Sequence, residues 1–180
     1  MTERASSLGF HKLREILISR KFKDQDNVPV AIPTVSALFI GSYGAATNLQ
    51  ALKQSEITHI LCVSPTLPLK FPDVFTYLQL PVADQPNGRI SIYFDKAFHF
   101  IHSALASGGK VLVHCFMGRS RSATIILAYL IAIHDFTLTS ALQELRRVRP
   151  QAQPNSGFYQ ELVSLEARHR KEKPKTNLSS

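Results

Sequence analysis

One stretch of the chain, residues 111–131, restricts the fold more than any other, because an apolar run passes through a short polar loop into a second, longer apolar run. The β-branched run at residues 111–113 predicts a buried strand, and the apolar run at residues 123–133 predicts a buried helix. A strand that turns directly into a helix leaves the first N–H groups of that helix without intrahelical acceptors. Such N–H groups bind anions, so this stretch predicts an anion site between the strand and the helix.

The same loop contains a nucleophile and a cation. Cys115 and Arg121 are separated by five residues, Gly118 stands where the loop must curl, and Ser122 follows directly. The thiolate is the reactive form of cysteine, and a helix N-terminus or a nearby Arg favours it. The N–H groups and the planar guanidinium of Arg121 can hold phosphoryl oxygens. The loop therefore predicts a phosphate site with its own nucleophile, although a Cys outside such a context is more often a buried structural residue.

The loop sequence His-Cys-Phe-Met-Gly-Arg-Ser-Arg-Ser-Ala-Thr, at residues 114–124, resembles the signature of the cysteine-dependent dual-specificity protein phosphatases. The resemblance covers residues 35–167, with further matches at residues 38–42, 57–61, 93–94, 128–131 and 154–158. Within that family the chain is similar to the small, single-domain, plant-type members that act on MAP kinases. The resemblance implies a cysteine-phosphatase fold of the α/β class, with a central mixed, mostly parallel sheet flanked by helices in one domain. The alternation of strands and helices independently predicts an α/β layer architecture, in which ligands bind beyond the carboxyl ends of the strands.

The chain of 180 residues is expected to form one catalytic domain over residues 35–169. Residues 1–34 are predicted to be a basic amphipathic helix, from Leu8 to Lys23, followed by an extended linker. This helix either packs on the domain surface or docks an acidic partner such as calmodulin. Residues 170–180 are predicted to be a basic, flexible tail because they are too polar to pack.

The chemistry of such a site requires an acid on a second loop. Attack by the Cys115 thiolate on a phosphate monoester gives a cysteinyl-phosphate, and the leaving oxygen needs a proton. Asp73, Asp84 and Asp95 are the candidates. The residues alone leave Asp84 open between a general acid and a turn residue, since Asp-Gln-Pro-Asn-Gly is a good turn sequence. The resemblance implies that Asp84 is the general acid.

Further roles follow for the remaining residues of the site. Asp84 would act as a base on water in the second step, and Ser122 would donate a hydrogen bond to the departing thiolate, although a Ser at a helix start is equally an N-cap. His114 is expected to orient the loop, and the resemblance implies that Asn155 braces it from outside. The phosphate cradle is expected to comprise Phe116, Met117, Gly118, Arg119, Ser120 and Arg121.

Cys62 departs from the family pattern, which commonly has Asn at this position. It closes a predicted strand whose carboxyl end should share a sheet edge with Cys115, so it is a candidate redox partner that captures oxidised Cys115. The alternative is a small apolar core residue.

The net charge of +8 and the pI near 9.7 indicate an anionic partner. The resemblance implies a protein phosphatase that acts on phosphotyrosine and phosphoserine/threonine, with MAP-kinase-type substrates. The alternatives are a phosphatase for phosphoinositides or other non-protein substrates, which is disfavoured by apolar Phe116 and Met117, and a non-catalytic phosphoresidue-binding module, which would lack Cys115, Arg121 or Asp84.

The sequence also leads to expectations about cofactors, oligomeric state and cellular location. No metal or other cofactor is expected, because the loop N–H groups and Arg121 can neutralise the phosphoryl charge. The apolar runs are too short to span a membrane, and no signal-peptide pattern begins the chain. Two cysteines, one of them a nucleophile, suit a reducing compartment. We therefore expect a cytoplasmic monomer, with the nucleus as a second location, and no nucleic-acid partner.

Overall fold

A computed structural model describes residues 24–172 of the chain. The basic helix predicted between Leu8 and Lys23 lies outside the described residues. Within them, the strands are β1 Val30–Ile32, β2 Val35–Gly41, β3 His59–Val63, β4 Thr76–Leu80 and β5 Val111–His114. The helices are α1 Tyr43–Thr47, α2 Leu49–Gln54, α3 Phe94–Ala106, α4 Arg121–His134, α5 Leu138–Val148 and α6 Ser156–Glu172. Short 3₁₀ turns span Asp24–Asn27 and Ser91–Tyr93.

The strands of this region form one mixed sheet in the order β1-β2-β5-β3-β4. Strands β2, β5, β3 and β4 are parallel, and β1 pairs antiparallel with β2 at the edge. His114, at the end of β5, is in register with Gly41 on one side and with Cys62 on the other. The predicted α/β fold is confirmed, and the loop after β5 leaves the sheet at the carboxyl ends of its neighbours, where ligands bind in such folds.

Helix α4 forms the centre of the core. Residues 122–131 are all buried, because this helix is apolar on every side and is packed among the sheet and helices α3, α5 and α6. The predicted strand at residues 111–113 and the predicted buried helix at 123–133 therefore match β5 and α4. A buried strand and a buried helix hold both ends of the intervening loop.

The predicted domain boundary at residue 35 is later than the start of the fold. Residues 30–32 pair with β2, and the 3₁₀ turn before them contacts α1, so the segment expected to be a linker belongs to the domain. Only three residues lie between Pro29 and Pro33, and three residues are too few to show the alternation that predicts a strand. The tail prediction also starts too early, because α6 continues to Glu172.

Residues 43–54 form two short helices, α1 and α2, rather than one continuous helix. Asn48 is the break, because its Oδ1 accepts a hydrogen bond from the N–H of Ala51 at 3.1 Å and caps α2. Among residues 24–172, the helices are too short or too polar to cross a membrane.

Candidate active site

The loop from Cys115 to Ser120 directs its carbonyl oxygens into the surrounding protein. All six accept hydrogen bonds, and the donors come from several separate elements. The donors, in loop order, are His114 Nδ1 at 3.3 Å, Tyr43 N at 3.0 Å, Arg149 Nη2 at 2.8 Å, Arg149 Nε at 3.1 Å, Gln153 N at 2.8 Å and Thr124 N at 2.8 Å.

The N–H groups of the loop therefore point in the opposite direction. In a trans peptide the C=O and the following N–H are antiparallel, so carbonyls that face the scaffold leave N–H groups that face the mouth of the loop. Within residues 24–172, the backbone N–H groups of residues 117–120 donate to no carbonyl or side chain. Residues 117–120 therefore form a cradle of N–H donors without protein acceptors, which is the arrangement that binds an oxyanion.

Gly118 is required by the curl of this cradle. Its φ of +65° is unfavourable for other residues, and a Cβ at this position would lie 2.5 Å from the carbonyl oxygen of Gly41 and 2.8 Å from Arg149 Nη2. Any side chain at this position would push the loop away from Gly41 and Arg149.

The sulfur of Cys115 lies at the base of the cradle. Cys115 is buried, and its Sγ is 3.3 Å from the Oγ of Ser122, which is also buried. The N-cap position of α4 is occupied by Ser120, so Ser122 is free of the capping role considered for it. A hydroxyl at this distance can donate to a thiolate, so the structure places Ser122 where it can contact the sulfur of Cys115.

Asp84 lies at the rim of the cradle. Its Oδ1 accepts hydrogen bonds from Ser120 Oγ at 2.7 Å and from Asn155 Nδ2 at 2.9 Å, while its Oδ2 is 3.6 Å from Arg121 Nε. Because Oδ1 already accepts two donors, Oδ2 is the oxygen that can carry a proton. The other two candidates lie elsewhere, Asp73 in an exposed turn and Asp95 in the first turn of α3.

The guanidinium of Arg121 is held in place by one contact and has a buried N–H that is unpaired among the described residues. Its Nη1 donates to the carbonyl of Val82 at 3.3 Å, which fixes the guanidinium beside the acid loop. Its buried Nε–H has no hydrogen-bond acceptor among residues 24–172, since 3.6 Å to Asp84 is too long for one. A buried, unpaired guanidinium N–H next to the cradle is suited to a phosphoryl oxygen.

His114 supports the loop as a neutral ring. Burial lowers the pKa of His114 to about 4, an effect that the nearby Arg121 charge reinforces and the hydrogen bond to the carbonyl of Cys115 opposes. The ring is therefore neutral near pH 7 and donates from Nδ1 to that carbonyl. This contact is made to the first carbonyl of the loop, and the orienting role of His114 stays a prediction.

Asn155 braces the site through both its backbone and its side chain. Its N–H donates to Ser120 Oγ at 3.1 Å, its Nδ2 donates to Asp84, and its Oδ1 caps α6 by accepting from Phe158 N at 3.0 Å. One residue thus connects the cradle, the acid and the last helix.

Sequence reasoning missed Arg149, the largest contributor to the support of the loop. A signal was present, because Leu138, Ala141 and Leu145 lie on the buried face of α5, and Arg149, directly after the helix, continues the same spacing and is also buried. An Arg at a core-facing position is expected to have a buried partner. Gln153 and Tyr43 donate from their backbone N–H groups. Almost every residue type has such a group, so the sequence gives no signal for these two contacts.

Cys62 lies beside the site but faces another layer. Cys62 is in register with His114, and its side chain packs with Tyr43 and Leu67, whereas Cys115 belongs to the main core cluster. Both thiols are free, and burial raises the pKa of Cys62 to about 12, a shift that the charge of Cys115 reinforces. The role of Cys62 as a redox partner stays a prediction.

The family model described as the dual-specificity phosphatase catalytic domain matches residues 38–168. This chain belongs to the dual-specificity protein phosphatases. It is therefore an enzyme of the phosphoric monoester hydrolase class, and the cradle around Cys115 lies within the matched region.

Relatives of this dual-specificity phosphatase include plant and human proteins. It is 44% identical over 154 residues to dual specificity protein phosphatase 1 of Arabidopsis thaliana, covering 86% of this chain and 76% of that protein. The structure of human DUSP28(Y102H) has a TM-score of 0.77 at 30% identity, covering 81% of this chain and 99% of that one. The human tyrosine phosphatase-like serine/threonine/tyrosine-interacting protein gives 0.74 at 32% identity, covering 80% and 99%.

Proposed function

We propose that this enzyme hydrolyses phosphotyrosine and phosphoserine/threonine in proteins through a cysteinyl-phosphate intermediate on Cys115. One observation carries the proposal: the carbonyls of residues 115–120 are all held by the scaffold, so the N–H groups surround the mouth of the loop above a buried sulfur. The Asp84 carboxyl, bound to Ser120 at the rim of the same loop, supplies the acid that such chemistry needs.

In the first step, the phosphoryl oxygens of the substrate bind the inward N–H groups and the guanidinium of Arg121. The Cys115 thiolate attacks phosphorus, so that the S–P bond forms while the P–O bond to the leaving group breaks. The proton on Asp84 Oδ2 passes to the leaving oxygen, which departs as a neutral alcohol or phenol. The developing negative charge stays on oxygens that the cradle already contacts.

In the second step, a water molecule attacks phosphorus. The Asp84 carboxylate takes a proton from that water, the P–S bond breaks, and inorganic phosphate leaves. The sulfur departs as a thiolate, which accepts a hydrogen bond from Ser122 Oγ, already 3.3 Å away. Each group returns to its starting protonation state after one turnover.

MAP-kinase-type phosphoproteins are the substrates we propose. Support comes from the apolar residues Phe116 and Met117 of the loop, which pack against a cluster formed by Tyr43, Cys62 and Leu67 rather than adding the Lys residues that lipid phosphatases tend to have. The net charge of +8 favours acidic phosphopeptides.

The test compares a peptide phosphorylated on both residues of a Thr-x-Tyr motif with a panel of phosphoinositides. We expect release of phosphate from both peptide positions and little from the lipids. The Cys115→Ser variant should lose turnover but retain phosphopeptide binding, because the cradle remains. Preferential hydrolysis of phosphoinositides, or turnover by Cys115→Ser above a few per cent of wild type, would contradict the proposal.

A docking role for the segment from Leu8 to Lys23 is a separate proposal, supported by its spacing of apolar anchors among basic residues. Removal of residues 1–23 should leave hydrolysis of a small aryl phosphate intact and weaken binding to calmodulin or to a kinase. Binding that is unchanged by this deletion would contradict it.

A further inference from the structure

Arg149 is a buried cation that the proposed chemistry does not use. It is 2% exposed and follows the last turn of α5, with its side chain directed beneath the loop of residues 115–120. Burial lowers the pKa of its guanidinium, and the charge of Asp26 opposes that shift. Burying a guanidinium is unfavourable unless its donors are matched, so the partners of Arg149 indicate its role.

Two of these partners are consecutive carbonyls of the cradle. Arg149 Nη2 donates to Met117 O at 2.8 Å, and Arg149 Nε donates to Gly118 O at 3.1 Å. The peptide N–H groups on the far side of these carbonyls belong to Gly118 and Arg119, and they point into the cradle. The planar fork of Arg149 thus sets the direction of two inward donors at once.

The third partner lies at the start of the fold. Arg149 Nη1 is 3.0 Å from Asp26 Oδ1, which also accepts from Gln151 Nε2 at 2.9 Å. The carbonyl of Asp26 accepts a hydrogen bond from Ser42 Oγ at 2.6 Å, so the segment around Asp26 is docked beside the first helix. Because the Asp26 charge balances the Arg149 charge, the pair supplies geometry rather than a net positive potential.

We propose that Arg149, held by Asp26, is a positioning residue for the phosphate-binding loop, so that residues 24–27 help to set the affinity of the site for oxyanions. These residues precede residue 38, where the match to the family model begins. The segment that joins the N-terminal region to the domain is therefore mechanically connected to the cradle. A change in that segment would be transmitted to the N–H groups of Gly118 and Arg119 through one ion pair.

The inference depends on the proposed function only in treating the cradle as the phosphate site, and the test does not require turnover. Tungstate affinity is measured by titration calorimetry for wild type and for Arg149→Met, Arg149→Lys, Asp26→Ala and the double variant Asp26→Ala/Arg149→Met. Arg147→Met is the matched control, because Arg147 lies two residues before Arg149, in the last turn of α5, with a side chain that is 75% exposed. Melting temperatures without tungstate report on folding separately.

We expect Arg149→Met to weaken tungstate binding by roughly 10- to 100-fold, the effect of losing two hydrogen bonds from a charged donor. Arg149→Lys should restore the melting temperature but not the affinity, because an ammonium cannot bridge two carbonyls in one plane. Asp26→Ala should weaken binding by about 3- to 10-fold, and the double variant should be no weaker than Arg149→Met, since Asp26 acts through Arg149. Arg147→Met should bind like wild type.

Wild-type affinity in folded Arg149→Met, or in Arg149→Lys if the Met variant does not fold, would overturn the positioning role. Additive losses in the double variant would overturn the part assigned to Asp26. The proposed function fails by a different result, namely absence of hydrolysis of phosphopeptides by the wild-type enzyme.

Discussion

Asp84 illustrates how a single carboxyl can be prepared for acid catalysis by its neighbours. Its Oδ1 is occupied by Ser120 and Asn155, which leaves Oδ2 as the proton carrier. Asp84→Asn should lower kcat on phosphopeptides by about 10²- to 10⁴-fold and flatten the basic limb of the pH profile, because the amide cannot donate an acidic proton. Steady-state kinetics across pH would measure both effects.

Asp73→Asn is the control for this variant, since Asp73 lies in an exposed turn. Aryl phosphates with good leaving groups should be hydrolysed almost normally by Asp84→Asn, because they need little protonation. If Asp73→Asn or Asp95→Asn were the damaging change instead, the assignment of the acid would be wrong.

His114 makes folding stability depend on pH. The pKa of buried His114 is lowered to about 4, whereas an unfolded His titrates near 6.5. Between these values the unfolded chain binds a proton that the folded protein excludes, so His114 lowers stability as pH falls from about 6.5 to 4, by up to roughly 3 kcal/mol. Above pH 6.5 both states are neutral, and the contribution vanishes.

Chemical denaturation at pH 7 and at pH 5 would measure this effect. His114→Gln should lose a substantial part of the pH dependence seen in wild type, whatever its absolute stability. His102→Gln, at an exposed position of α3, should retain the wild-type pH dependence. Identical pH dependence in wild type and His114→Gln would contradict the prediction.

The elements around the site show what sequence patterns can and cannot predict. Strand β5 and helix α4 were predictable because each is a continuous apolar run, and such runs depend little on distant residues. Strand β1 was not, since it contains three residues between two prolines and forms only by pairing with β2. Arg149 was missed for a related reason: its role depends on Asp26, Met117 and Gly118, which are distant in sequence.

Helix α6 positions the acid loop through close contact at its second residue. A Cβ on Gly157 would lie 1.7 Å from the carbonyl oxygen of Pro86, two residues after Asp84. Gly157→Ala should displace that loop and lower kcat on phosphopeptides by more than about tenfold, since small misplacements of a catalytic group are costly. An aryl phosphate with a good leaving group should be affected much less.

The melting temperature is the control for Gly157→Ala, because Ala favours a helix by about 1 kcal/mol over Gly and so offsets part of the strain. Equal losses on both substrates would indicate general damage to the fold rather than displacement of the acid.

At the scale of the whole molecule, charge is expected to guide substrates to the site. The net charge of +8 creates a field that attracts anions at low salt, and the Debye length falls to about 10 Å at 0.1 M. For a phosphopeptide with acidic flanks, kcat/KM should fall by about tenfold between 20 and 300 mM salt, with little change in kcat. A peptide with the same phosphoresidue and neutral flanks is the control, and an equal salt effect on both would argue against long-range attraction.

Because the carbonyls of residues 115–120 bind donors in the surrounding fold, the loop cannot be moved to another protein by itself. The N–H groups face inward because Tyr43, Arg149, Gln153 and other donors outside the loop bind its carbonyl oxygens. The sequence of the loop alone does not determine this orientation. A designer who grafts residues 114–122 onto another strand-to-helix turn would copy the nucleophile and lose the cradle. The smallest portable unit is the loop together with its ring of donors, which extends across most of the fold.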